Sequence, residues 1–299
     1  MEVPPTLEVD VEATIKKEPG YYDLIPFEIR QMVIDRMDFA TKCKFSTIST
    51  ISFDEVQQRK SSIQSVKISE TGPNQFLFKL REAGRGTSEV IKSGNPTILF
   101  NHFDSFAENF HESLTTLVIH VSNFEFNKSN ILRFENLEEL RIIDIKRKID
   151  VIKSGFTNLD QISKIVNNLV LPVLKLDEIL QMQATRITIS YVDCTRTDFI
   201  QFLLSLVNNQ LHPNVYSIKF RFEKTRVATE GFETVFVAPW AYFAQRRVGA
   251  HIQYMMKNRR NPVKHFHIDY KKPLISITSV YAAEYDPSEW NAREFMPYL

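Results

Sequence analysis

An α+β / α/β fold is predicted, in which a helical N-terminal module is followed by an irregular solenoid of short strands and helices. Three observations carry this expectation. Apolar residues recur at three- and four-residue steps between positions 21 and 59, the period of an amphipathic helix. Beyond residue 110, five units each present apolar residues at alternate positions after a polar lead-in. Finally, 23 Phe and 10 Tyr against only 8 Gly imply an aromatic core suited to strands.

Residues 1–20 hold five acidic residues against Lys16 and Lys17, together with three prolines, and read as a mobile tail. The helical module is expected over 21–62. Pro26 suits the first turn of a helix, where its missing N–H has no intrahelical partner, and Ile29, Met32, Val33 and Met37 follow as one stripe. Asp38 interrupts that stripe, which resumes with Phe45, Ile48 and Ile51 in a segment rich in Ser and Thr. These are mediocre helix formers, so the helix needs packing against the chain's own core or against a partner.

The order of residues resembles an F-box, the helical module that docks substrate receptors onto the Skp adaptor of Skp/cullin/F-box ubiquitin ligases. Ile25 and Pro26 match the family's Leu-Pro opening, and Glu28 and Ile29 its acidic-apolar pair. Val33, Ile34, Met37 and Asp38 match its Ile-Leu…Leu-Asp stretch, Cys43 and Phe45 its Cys and Leu, and Ile48 and Ser49 its Val-Ser. The resemblance implies adaptor contacts at Leu24, Ile25, Pro26, Ile29, Val33, Ile34, Met37, Phe45 and Ile48. An ordinary amphipathic helical hairpin is the alternative reading of the same segment.

Strands are expected at SIQSVKIS and FLFKLRE around the turn Thr71-Gly72-Pro73-Asn74, and a surface loop over 83–97. Aligning Leu117, Leu140, Ile162, Ile187 and Ile218 in the five later units gives steps of 23, 22, 25 and 31 residues. The first three steps lie in the leucine-rich-repeat range, although the third unit reads equally well as a helix. A helix is predicted over 197–207, and residues 183–222 resemble the F-box-associated domain of nematode F-box families. A strand at ETVFVAP, a long helix from Trp240 to about Asn258, and a hairpin around Lys271-Lys272-Pro273 complete a repeat-like domain over 63–299.

Lys+Arg 37 against Asp+Glu 36 argues against a protein whose main task is coating nucleic acid or an anionic membrane. Two cysteines without CxxC spacing offer neither a disulfide framework nor a Cys-rich zinc site. With no apolar run of membrane-spanning length, a cytoplasmic or nuclear protein is expected. No catalytic motif is present, so no catalytic residue, metal or cofactor is assigned. His265 and His267 share one strand face with Asp269, a spacing that a surface pair explains without a metal. Arg246, Arg247, Arg259, Arg260 and Lys264 sit in a segment, 241–273, that holds eight cations and one acid; they form either a docking face for an acidic partner or RNA, or a solvated helix face. The expectation is thus a non-enzymatic substrate receptor of the ligase. It would bind the Skp adaptor and, through it, a cullin, and hold an unidentified target protein. An adaptor-independent scaffold acting through the basic C-terminal face is the alternative.

Overall fold

The computed structural model describes residues 21–46, 48–58, 62–93, 110–121, 134–144, 159–192, 194–222, 244–249, 251–271, 273–284 and 286–292. The expected acidic tail and the strand at ETVFVAP lie outside the described residues. Among the described residues, a 3-10 turn (Tyr21–Leu24) comes first, followed by three short helices, α1 (Phe27–Arg36), α2 (Phe39–Phe45) and α3 (Thr50–Gln57). The described residues then form one mixed sheet of thirteen strands, in the order β13-β9-β10-β11-β12-β8-β7-β6-β5-β4-β1-β2-β3.

Its middle is parallel. Strands β1 (Ile63–Gly72), β4 (Thr116–Val121), β5 (Glu139–Asp144), β6 (Asn168–Val173), β7 (Arg186–Val192) and β8 (Ser217–Phe222) run side by side in one direction. Both flanks are antiparallel. Strands β2 (Gln75–Glu82) and β3 (Gly86–Ser93) fold back on β1, and β12 (Leu274–Tyr281), β11 (Lys264–Lys271), β10 (His251–Lys257), β9 (Ala244–Val248) and the two-residue β13 (Asn291–Ala292) extend the other edge. The predicted class, a helical F-box followed by a leucine-rich-repeat-like solenoid, is therefore overturned. A solenoid stacks every unit in the same sense, whereas here hairpins close both flanks and a single sheet dominates the molecule.

Leu117, Leu140, Leu169, Ile187 and Ile218 stand in one register across the parallel strands, and all are buried. Four of them are the positions aligned from the sequence. The fifth differs: Ile162 lies on helix α4 (Leu159–Ile165) with Val166 beside it in the core, and the strand comes seven residues later at Leu169. Helix α5 (Leu176–Ile179) is a single turn, and α6 (Arg196–Val207) starts at Thr195, whose side chain accepts from the Asp198 N–H. Phe199, Phe202, Leu203, Leu206 and Val207 pack α6 on the core face, with the Phe199 ring 5.4 Å from Phe222 and the Phe202 ring 6.2 Å from Phe220.

Two further expectations fail for local reasons. The segment 83–97 contains β3 rather than a loop; Gly84 and Gly86, at φ +75° and +86°, make the tight turn that returns it along β2. The long helix from Trp240 is replaced over its described part by the β9–β10 hairpin, turned at Gly249 with φ +60°. The run Tyr254-Met255-Met256 is buried on both sheet faces, Tyr254 and Met256 in the main core and Met255 with Ala244 and Trp290. A continuous apolar run of that kind does not distinguish strand from helix by period.

Candidate docking surface

Helix α1 starts at Pro26, whose carbonyl accepts from the N–H groups of Ile29 and Arg30. Its inner face turns Gln31 and Ile34 into the interior. The packing of α1 on α3 is organised by a buried carboxylate, Glu55. Arg30 Nη2 lies 2.7 Å from Glu55 Oε1, and the Tyr22 hydroxyl donates to Oε2 at 2.5 Å. Arg30 Nη1 also donates to the Ile25 carbonyl at 2.8 Å, and its guanidinium lies 5.2 Å from the Tyr22 ring centroid. A buried charge costs several kcal/mol unless it is paired, so these partners hold one arrangement of the helices.

Helix α2 is capped by Asp38, which accepts from the Thr41 N–H at 2.6 Å; the Thr41 hydrogen bonds hold its carboxyl below the ordinary aspartate value of 3.8. Asp38, which interrupts the apolar stripe in the sequence, is thus the break between two helices. Helix α3 starts at a reciprocal Ser49/Ser52 cap, and Ser52 Oγ donates to the Phe45 carbonyl at 3.0 Å, which ties α3 to the end of α2. The Arg85 guanidinium, at the β2–β3 turn, donates to the carbonyls of Asp35 and Met37 and so fastens the end of α1 to the sheet.

Beside exposed charges such as Glu28, Arg36 and Lys44, a large apolar surface is turned outward on α1, on α3 and on the segments that flank them. Leu24 (67% exposed), Ile25, Phe27, Ile29, Met32, Val33, Ile48 (69%), Ile51 and Phe53 all face solvent. Together with Tyr21 they make ten of the fifteen large exposed hydrophobic residues among those described, within 33 positions of the chain. Scattered exposed leucines need no explanation, but a concentration of this kind marks an interaction surface.

The residues implied by the F-box resemblance divide. Leu24, Ile25, Pro26, Ile29, Val33 and Ile48 are exposed, and Met37 and Phe45 are half-buried. Ile34 is not available: it is fully buried, because one step along α1 from Val33 rotates the side chain about 100° towards the interior. Phe27, Met32, Ile51 and Phe53 join the exposed set. Met32 and Ile51 stand three residues from Ile29 and Ile48, the step that signals them, whereas Phe27 and Phe53 lie two and five residues from these neighbours and carry no such signal.

The C-terminal cations do not share one helix face. Arg246 and Arg247 are neighbours on β9 and point to opposite faces, Arg259 and Arg260 stand exposed in the β10–β11 turn, and Lys264 begins β11. Arg246 is engaged, with its guanidinium 4.4 Å from the Trp290 ring and paired with Glu289. No family model, no curated protein and no solved structure matches the chain.

The histidines differ from the expected surface pair. His265 is buried, and His267 is half-buried with its ring 5.6 Å from that of Trp290. Burial, before any charge, pushes both imidazoles below their ordinary value of 6.5. Asp269 faces His251 at 3.3 Å, and no cluster of three or more metal-ligating side chains occurs among the described residues. An open cleft of about 440 Å³ lies beside α5 and α6, where Cys194 is buried and the Asp198 carboxylate is engaged by the Thr195 N–H and hydroxyl, both at 2.8 Å. No described helix is long and apolar enough to cross a membrane.

Proposed function

We propose that the chain is the substrate-recognition subunit of a Skp/cullin/F-box ubiquitin ligase. The apolar ridge of α1–α3 docks on the Skp adaptor, and the sheet beyond residue 63 holds a target protein. The single observation that carries this reading is the concentration of exposed apolar side chains over residues 21–53, in a segment whose residue order resembles an F-box. Ile25, Pro26, Ile29 and Val33 supply anchors, and Met37 completes the row at the end of α1.

The mechanism is proximity. Tethering the target beside the cullin-bound ubiquitin carrier enzyme raises the local concentration of its lysines while this chain performs no chemistry. The ligase is cytoplasmic or nuclear, and the partners are the Skp adaptor, through it a cullin, and a protein substrate.

Recovery on immobilised Skp adaptor tests the proposal, comparing the natural chain with Pro26→Ala combined with Val33→Asp. Burying such side chains is worth ~1.5–3 kcal/mol each, so the double variant is expected to bind about 100-fold more weakly. Both positions are exposed, so the variant keeps its fold and its circular dichroism spectrum. Equal recovery of the two proteins removes the proposal.

A further inference from the structure

The parallel strands bury one face in the core and turn the other outward. Alternation along each strand separates the two: in β8, Ile218, Phe220 and Phe222 are buried while Lys219 and Arg221 are exposed. The register carries this outward row across the sheet as Lys67, Val118, Arg141, Val170, Thr188, Lys219 and Ser276. The next row runs Ser65, Thr116, Glu139, Asn168, Arg186, Ser217 and Thr278, of which Ser217 is buried.

Charge on this face is one-sided. The outward positions of the six parallel strands hold five cations, Lys67, Arg141, Arg186, Lys219 and Arg221, and one described acid, Glu139. Glu139 is paired with Arg141 at 2.6 Å, whereas Lys67, Arg186, Lys219 and Arg221 are exposed and have no ion pair among the described residues. In a chain with 37 cations and 36 acids this is a strong local departure.

We propose that this outward sheet face binds an extended acidic polypeptide segment, with carboxylates meeting Lys67, Arg186, Lys219 and Arg221 and small apolar side chains meeting Val118 and Val170. Strands lie about 4.8 Å apart, so Lys67 on β1 and Lys219 on β8, five strands away, are separated by roughly 24 Å. An extended segment of about seven residues spans that distance. Ser and Thr hydroxyls at Ser65, Thr116 and Thr188 supply hydrogen-bond donors between the cations. Neither row places a Phe, Tyr or Trp ring among Lys67, Arg141, Arg186 and Lys219, and the next row, which includes Arg221, adds the His120 imidazole on β4, whereas single-stranded nucleic acid binding relies on successive aromatic rings for stacking. The face therefore suits a protein segment better than RNA. Binding to the face does not rest on the ligase reading; its service as the target-holding surface does.

The test is fluorescence anisotropy on the full chain, with a labelled peptide of about ten residues carrying Glu at alternate positions between Val and Ser, and oligouridine of similar charge as the second probe. The peptide is expected to bind and to weaken as salt rises, and Lys67→Glu with Lys219→Glu and Arg221→Glu is expected to weaken it about 30-fold or more. The milder Lys67→Gln with Lys219→Gln gives a smaller loss in the same direction. An unchanged thermal transition verifies the fold of both variants. Absence of peptide binding, binding that both variants leave unchanged, or tighter binding of oligouridine with the same dependence on these residues each overturns the proposal. Adaptor recovery by the charge-reversed chain is expected to be unaltered, so failure here is distinguishable from failure of the adaptor reading.

Discussion

Val33 and Ile34 are adjacent and chemically alike, yet they have opposite fates. Val33 is 47% exposed on the ridge, and Ile34 is fully buried beneath it. Ile34→Ala is expected to cost ~2–5 kcal/mol in urea denaturation, while Val33→Ala stays within ~0.5 kcal/mol. Equal effects would mean that α1 is rotated from the orientation described. His265 and His267 carry a second expectation at this scale. Burial lowers both folded-state values below 6.5, so the unfolded chain takes up protons first as pH falls. Their contribution is intact above about pH 6.5 and is lost as pH drops through the folded values. Denaturation midpoints should therefore fall on acidification below that point, and His265→Gln with His267→Gln should flatten the fall.

Among the elements, the hairpin β9–β10 offers the sharpest discrimination, because a long helix is the expectation from the sequence there. Gly249 stands at φ +60°, and a Cβ added to it meets nothing within 4 Å, so substitution costs only backbone strain. Gly249→Ala is expected to destabilise the protein by ~1–2 kcal/mol in thermal denaturation, the cost of a left-handed residue with a side chain. In a helix the same change would stabilise by ~1 kcal/mol, so the sign of the effect separates the two structures. Elements with one buried face were legible beforehand: the β1–β2 hairpin around Pro73-Asn74, the capped helix α6 and the β11–β12 hairpin match their sequence signals. Those that were not legible have ambiguous runs. Met255 is covered by Trp290 while Tyr254 and Met256 enter the main core, so no alternation survives in β10. In the third unit, Ile162 and Val166 have helical spacing and Leu169 and Leu171 have strand spacing, and the alignment chose the first pair.

For the molecule as a whole, the continuity of the core decides behaviour. One buried cluster runs from Ile63 on β1 through Leu140 and Phe220 to Ile277 on β12. Calorimetry is expected to give a single transition, which Leu117→Ala near one flank and Ile277→Ala near the other both lower. Two separable transitions, each responding to one variant, would mean that the flanks fold apart. Sequence alone determined the local apolar periods, the capped start of α6 and the clustering of apolar residues near the N-terminus, because each depends on neighbours within a few positions. Long-range pairing and packing were needed to join the strands in one mixed sheet instead of a solenoid, to turn Ile34 inward beside an exposed Val33, and to bring cations distant in sequence onto one face. Strand direction, burial and charge grouping arise from pairings between remote segments, and those pairings leave no period along the chain.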